Sequence, residues 1–282
     1  MFPISSLGHS ILVPAWIGGN WSRLVTDQSS PESAYLAFIV GLHVATALAL
    51  LVLFRRDWVG IVKGFFASLR NRRIVTAYER MAWLLVLSTI PAGLTGLLLE
   101  HQLRVVFAKP LAAAVFLTIN GLILLSGEWL RRRSLAHPPA PVARPEAGSA
   151  PALDVAIAQH VSAPTAAVIG VLQTTALLAG ISRSGITMVA GLMRGLTHEE
   201  AVRFSFLLAT PIILAAGAYK VPDLIGPLGN GIRGQCLAGA VAAFVGALIS
   251  AKFLQRWFRT RTLTPFAIYC LVAGAISIVH FA

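Results

Sequence analysis

The run from Tyr35 to Phe54 holds 20 residues without a charged side chain. As a helix it is long enough to cross about 30 Å of hydrocarbon, and a bilayer core is that thick. Met81–Leu99, Leu111–Gly127, Phe204–Tyr219, Cys236–Ala251 and Pro265–Phe281 repeat the pattern. With 56% hydrophobic and only 12% charged residues, the chain cannot cover a soluble surface with polar groups. The fold class that follows is an all-α polytopic membrane protein with about six full transmembrane helices. Two further apolar stretches are interrupted by polar residues. One is Phe2–Ile17, which contains "FPISSLGHSI"; the other runs from Pro164 to Met193 and contains "AGISRSGIT" at 179–187. These read as re-entrant or broken hairpins, because non-helical backbone at membrane depth survives only where protein or a wet cavity surrounds it.

The net charge of +12 belongs to loops facing the cytoplasm and not to a nucleic-acid surface. Loop 55–80 holds seven Lys or Arg residues, whereas loop 100–110 holds Arg104 and Lys109 alone. Arg131, Arg132, Arg133 and Arg144 make the next loop rich, residues 220–235 are poor, and 252–264 are rich again. With the rich loops cytoplasmic, the opening stretch and the C-terminus lie on the far side. Cys236 and Cys270 sit in apolar runs and read as packing residues, not as a disulfide or a metal site.

The Pro/Ala-rich segment 137–153 reads as a linker between an N-terminal repeat, 1–136, and a C-terminal repeat, 154–282. "ISSLGHSI" at 4–11 aligns with "ISRSGITM" at 181–188, matching Ser5 with Ser182 and Gly8 with Gly185. Three apolar runs separate the two stretches, so the copies enter from opposite faces. That is the pattern of inverted repeats with polar broken segments meeting near the midplane.

Arg183 is the most costly residue in these segments. The nearest acidic residues in the chain are Asp154 and Glu199. A guanidinium placed there needs an anion, and its planar fork matches phosphate oxygens. Ser182, Ser184 and Thr187 add hydroxyls, and Gly180 and Gly185 let backbone N–H groups approach an oxyanion. His9, with Ser5 and Ser6 one helical turn before it, is a candidate proton carrier or nucleophile. The repeat relation would bring it near Arg183. His43, inside the first run, suits a structural hydrogen bond as well as a role. His101, His137, His160, His198 and His280 read as loop or interfacial residues.

"FPISSLGH" and "GISRSGIT", with "FSFLLATP" at 204–211 and "PFAIY" at 265–269, resemble the bacterial undecaprenyl-diphosphate phosphatase family over essentially the whole chain. The resemblance implies an inner-membrane, multi-pass hydrolase built from interlocked inverted repeats, with its active site reached from the periplasmic side. It would convert undecaprenyl diphosphate to undecaprenyl phosphate and inorganic phosphate. That recycles the carrier for peptidoglycan synthesis and confers bacitracin resistance. A polyprenyl-phosphate transporter or flippase without hydrolysis is the competing reading, since inverted repeats are also transporter architecture.

Carried over residue by residue, the catalytic positions implied are His9, Ser6 and Arg183. The phosphate-binding positions are Arg183, Ser182, Ser184, Thr187, Ser5 and Gln173. The implied partners are the polyprenyl diphosphate lipid, the bilayer and a second copy in a homodimer, with no nucleic acid. The implied cofactor is a divalent cation, Mg²⁺ or Ca²⁺.

Three departures stand out. Ala179 replaces a Pro, and Cys270 replaces an Arg. The family's Glu-x-x-x-Glu element, which would directly precede Met1, has no substitute among the eleven acidic residues. The expectation is therefore that the metal-binding carboxylates lie upstream of Met1, that the start is set too far downstream, and that the chain as written is inactive.

Overall fold

A computed structural model describes residues 1–21, 34–107, 109–136, 150–226 and 231–282. Among the described residues there are eleven α-helices and no strand. They are α1 (Ser6–Ile17), α2 (Ala34–Leu53), α3 (Arg55–Asn71), α4 (Ala77–Phe107), α5 (Pro110–Ala136), α6 (Ala150–His160), α7 (Ala163–Thr174), α8 (Arg183–Leu192), α9 (His198–Ile225), α10 (Arg233–Trp257) and α11 (Thr264–Phe281). The chain is a multi-pass membrane protein. Helices α4, α5, α9, α10 and α11 contain stretches long and apolar enough to cross a bilayer.

The remaining apolar segments are broken. Helix α1 has 12 residues and α8 has 10, so they rise only about 18 Å and 15 Å and cannot span. Helices α6 and α7 meet at a 95° bend, and a 3₁₀ turn, Thr175–Leu177, extends α7 toward the loop before α8. Helix α2 matches the first apolar run. It turns 88° into α3, within the segment 55–80 that the sequence suggests is a loop.

Helix α3 is amphipathic. Asp57, Ile61, Gly64 and Ser68, spaced three or four apart, are buried, while Arg55, Arg56, Lys63 and Arg70 are exposed. Val59, Val62, Phe66 and Leu69 are exposed beside those basic residues, a mixture that suits a helix at a membrane surface. Helix α6 begins at Ala150, inside the segment read as a linker. Residues 137–149, with His137, lie outside the described residues, as does the side chain of His101.

The two halves interlock. The most extensive helix pairing joins α5 to α11, and α2 packs on α9 and α10 while α4 packs on α7. Small residues allow these approaches. A Cβ on Gly121 would sit 2.9 Å from the Ala267 carbonyl, and one on Gly274 2.8 Å from the Thr118 backbone nitrogen. Across α4 and α7, the Ser88 hydroxyl donates to the Ala166 carbonyl at 2.8 Å. Helix α9 is central, with 67% of its apolar window buried against 17% for α10. Phe204, Phe206 and Leu207 of α9 are fully buried and anchor the core.

Candidate active site

The two polar stretches are built alike. Ser5 caps α1 and accepts from the Gly8 N–H at 3.2 Å. Ser182 caps α8 and accepts from the Gly185 N–H at 3.2 Å. Each cap therefore satisfies one of the open N–H groups at its helix start, and the two serines and two glycines are the pairs that the internal repeat aligns.

The copies also touch. Ser5 Oγ accepts from the Gly180 N–H at 3.2 Å, and a Cβ on Gly8 would lie 2.8 Å from the Gly180 Cα. Asn120 of α5 ties both to the scaffold. Its Oδ1 accepts from the Ser182 N–H at 2.9 Å, and its Nδ2 donates to the Pro3 carbonyl at 3.1 Å and to Cys270 Sγ at 3.3 Å. Cys270 thus belongs to the packing around the site, in line with its reading from sequence. Ser5 itself has φ 64°, a left-handed conformation costly for a residue with a side chain; its two accepted bonds hold it there.

Gly180 is irreplaceable on two counts. Its φ is +114°, and a Cβ there would collide with the Ala113 carbonyl. Gly180→Ala is expected to cost at least about 2–3 kcal/mol. The check is the melting temperature in detergent, which should fall by several degrees.

Arg183 is the first residue of α8, where a cation opposes the positive end of the helix dipole. No hydrogen bond or ion pair holds its guanidinium among the described residues. The described carboxylates are committed elsewhere. Asp57 and Asp154 pair with Arg203, Glu128 with His198, and Glu199 with Arg259. Glu79 and Glu200 accept from the backbone N–H groups of Val75 and Thr197. A helix start, a guanidinium without a partner among the described residues and neighbouring hydroxyls are groups that can hold an anion. Ser182 and Ser184 share a hydroxyl–hydroxyl bond of 3.1 Å beside it.

The structure separates the other predicted positions. Thr187 is buried, its hydroxyl directed at the Arg183 carbonyl, at 3.0 Å, and at Ser205 Oγ on α9, at 2.7 Å, so it braces the loop from inside. Gln173 is buried on α7, where its Nε2 donates to the Ser88 carbonyl at 2.8 Å; no hydrogen bond links it to the Ser182–Thr187 loop. His9 does not bond Arg183. Its Nδ1 lies 2.7 Å from the Ser5 carbonyl and its Nε2 2.8 Å from the Tyr269 hydroxyl, with the two rings stacked.

Ser6, exposed on α1, pairs instead with His43 of α2, Oγ to Nε2 at 3.0 Å. His43 is also close enough to Arg183 to feel its charge. Sequence reading left His43 ambiguous and missed Asn120, Ser205 and Tyr269. For His43 the available signal was an ionisable ring inside an uncharged run. His198 departs from its loop reading: it is buried, bonded to Glu128 at 2.5 Å and stacked on Phe258.

Among the described residues the donors do not fit a protein-held divalent cation. Among the described residues no group of three His, Cys, Asp or Glu side chains converges, and the oxygens around Arg183 are hydroxyls and carbonyls. Such oxygens supply no negative charge to a hard cation.

Comparison with known proteins places the chain in a family. The model of the bacitracin resistance protein BacA family matches residues 1–276. An undecaprenyl-diphosphatase of Mycolicibacterium paratuberculosis is 59% identical over 285 residues, covering 100% of this chain and 92% of that protein. Undecaprenyl-diphosphatase 2 of Frankia alni is 54% identical over 321 residues, covering 100% of this chain and 94% of that protein. Undecaprenyl-diphosphatase 2 of Chromobacterium violaceum is 41% identical over 283 residues, covering 99% and 92%. Matched from residue 1 to residue 276, the chain belongs to the bacitracin resistance protein BacA family.

Proposed function

We propose that this protein hydrolyses undecaprenyl diphosphate to undecaprenyl phosphate and inorganic phosphate in the bacterial cytoplasmic membrane, from the periplasmic side. The observation that carries the reading is Arg183: a guanidinium with no anionic partner among the described residues, at a helix start, within electrostatic reach of the His43 ring that bonds the Ser6 hydroxyl. An anion clamp alone would suit a carrier. An exposed hydroxyl bonded to an imidazole beside that clamp suits phosphoryl transfer. The names of the relatives at 54% and 59% identity point the same way.

The clamp lies beside an apolar groove of about 510 Å³ between α5, α7 and α8, lined by Leu122, Leu172, Leu178, Ile181, Ile186 and Met193. Ile181 and Ile186 flank the Ser182–Gly185 turn. A ligand with a charged head and an isoprenoid tail would meet both surfaces at once. In the reaction, Arg183 and the Ser182 and Ser184 hydroxyls hold the diphosphate and stabilise the charge that gathers on its terminal oxygens. The orientation rests on charge: the exposed arginines of α3, Arg55, Arg56 and Arg70, mark the cytoplasmic side.

The test is inorganic phosphate release from undecaprenyl diphosphate by the detergent-solubilised protein, beside a lipid-translocation assay in vesicles. Release above the detergent blank is the expected result, and it would set aside the inactivity that the missing upstream carboxylates imply. Translocation of the intact diphosphate without release would overturn the hydrolase reading.

A further inference from the structure

We propose that the groove between α3 and α4 seats one acyl chain of an anionic glycerophospholipid, with its phosphate held by the basic side of α3. The site goes beyond the hydrolase reading above. It shares no lining residue with the groove beside the Ser182–Gly185 turn.

The groove holds about 480 Å³. On α4 its wall runs from Ala82 through Leu85, Thr89 and Gly93 to Leu97, at spacings of three and four. One helix face therefore lines it over a rise of about 22 Å. That is most of the apolar stretch Ala77–Leu99. Trp58, Val62 and Phe66 of α3 form a second wall, and Pro211 of α9 completes the lining. Gly93 keeps the groove open, since a Cβ there would meet nothing within 4 Å. The Thr89 hydroxyl donates back to the Leu85 carbonyl at 2.7 Å, which leaves the α4 wall apolar. This shape suits one extended hydrocarbon chain. Half of a hydrocarbon core is about 15 Å thick, so a chain entering at the surface helix α3 follows α4 to the midplane and past it. A polyprenyl tail is far longer than the groove.

Polar groups gather on the α3 side alone. Trp58 has a buried Nε1–H with no acceptor among the described residues. A buried indole N–H ordinarily finds a partner, and an ester oxygen of a seated lipid supplies one. Lys63 stands three residues before Phe66 and Arg70 four after it, and Arg55 stands seven before Val62. These spacings put all three cations on the side of α3 that borders the groove. All three are exposed, and no carboxylate pairs with them among the described residues. Cations along an apolar groove complement a phosphodiester carried on a hydrocarbon chain. They do not complement a zwitterionic headgroup, which has no net charge. Anionic phosphodiesters are the lipids of the cytoplasmic leaflet, the side on which the charge pattern puts α3.

The experiment adds dioleoyl phosphatidylglycerol, or phosphatidylcholine with the same chains, to the purified protein in detergent. Native mass spectrometry reads the lipid adduct, and a thermal scan reads the melting temperature. Phosphatidylglycerol is expected to stay bound as a single molecule and to raise the melting temperature by several degrees; phosphatidylcholine should do neither. Gly93→Phe fills open space, so it should keep a monodisperse elution peak and lose the adduct. The triple variant Arg55→Gln, Lys63→Gln, Arg70→Gln should weaken phosphatidylglycerol binding at least about tenfold and flatten its dependence on salt. It changes exposed residues only, so it tests the headgroup contact even if Gly93→Phe fails to fold. Equal binding of the two lipids by the wild type overturns the proposal, as does an undiminished adduct in either folded variant. Displacement of phosphatidylglycerol by equimolar polyprenyl monophosphate would assign the groove to polyprenyl lipids and overturn it too. No readout uses phosphate release, so the result stands apart from the hydrolase reading.

Discussion

Arg183→Ala is expected to lower phosphate release from a polyprenyl diphosphate by at least about 10³-fold, equivalent to about 4 kcal/mol of transition-state stabilisation. The size follows from what the guanidinium faces. It has no partner among the described residues, and it stands at the start of α8, where its charge is disfavoured until an anion arrives. A residue held at such cost in the apo protein does its work with the ligand bound. Arg183→Lys should recover only a small part, because an ammonium is a point charge and cannot present two parallel N–H groups to phosphate oxygens. Both variants should also lose affinity for the substrate, read by competition with a slowly hydrolysed diphosphate analogue. Near-normal release by Arg183→Ala would remove the phosphate clamp from this site.

The second large effect is on stability. Arg203→Met is expected to destabilise the protein by about 3–5 kcal/mol, since removing one partner of a buried ion cluster strands the rest. Arg203 joins Asp154 through Nε at 2.8 Å and through Nη2 at 3.1 Å, and reaches Asp57 at 2.8 Å. All three side chains are under 10% exposed. Without Arg203, two carboxylates face each other across α3, α6 and α9 in a dry environment. The melting temperature in detergent should fall steeply. It should partly recover in the triple variant that adds Asp57→Asn and Asp154→Asn, which removes the stranded charge. An unchanged melting temperature for Arg203→Met would show that water reaches the cluster.

These two arginines show where sequence reading succeeds and where it ends. Arg183 could be singled out because the acidic residues nearest to it along the chain are far away, and among the described residues none pairs with it in space. Arg203 has Glu199 and Glu200 one helical turn before it, yet its partners are Asp57, in a segment that looked like a loop, and Asp154, just after the linker. Local sequence offers Arg203 two acids that the ion cluster does not use. Only the packing of α3, α6 and α9 makes one an internal tie and leaves the other open.

Much was determined by sequence alone. Uncharged runs about 20 residues long have few ways to satisfy their backbone in lipid, so helix, span and membrane class follow from composition and length. The repeat of Ile-Ser-x-x-Gly marked the two broken segments, and their shared cap geometry at Ser5 and Ser182 follows from that local sequence. Tertiary structure decided which side chains meet. Ser6 lies 37 positions from His43 and His9 lies 260 from Tyr269, and neither separation carries a periodic signal. His9 sits in the recognisable motif yet is committed to Ser5 and Tyr269, whereas His43, on an apolar helix, takes the place beside the hydroxyl. The physical reason is that helical periodicity specifies a face and not the neighbour that covers it. In interlocked halves that neighbour comes from the distant part of the chain.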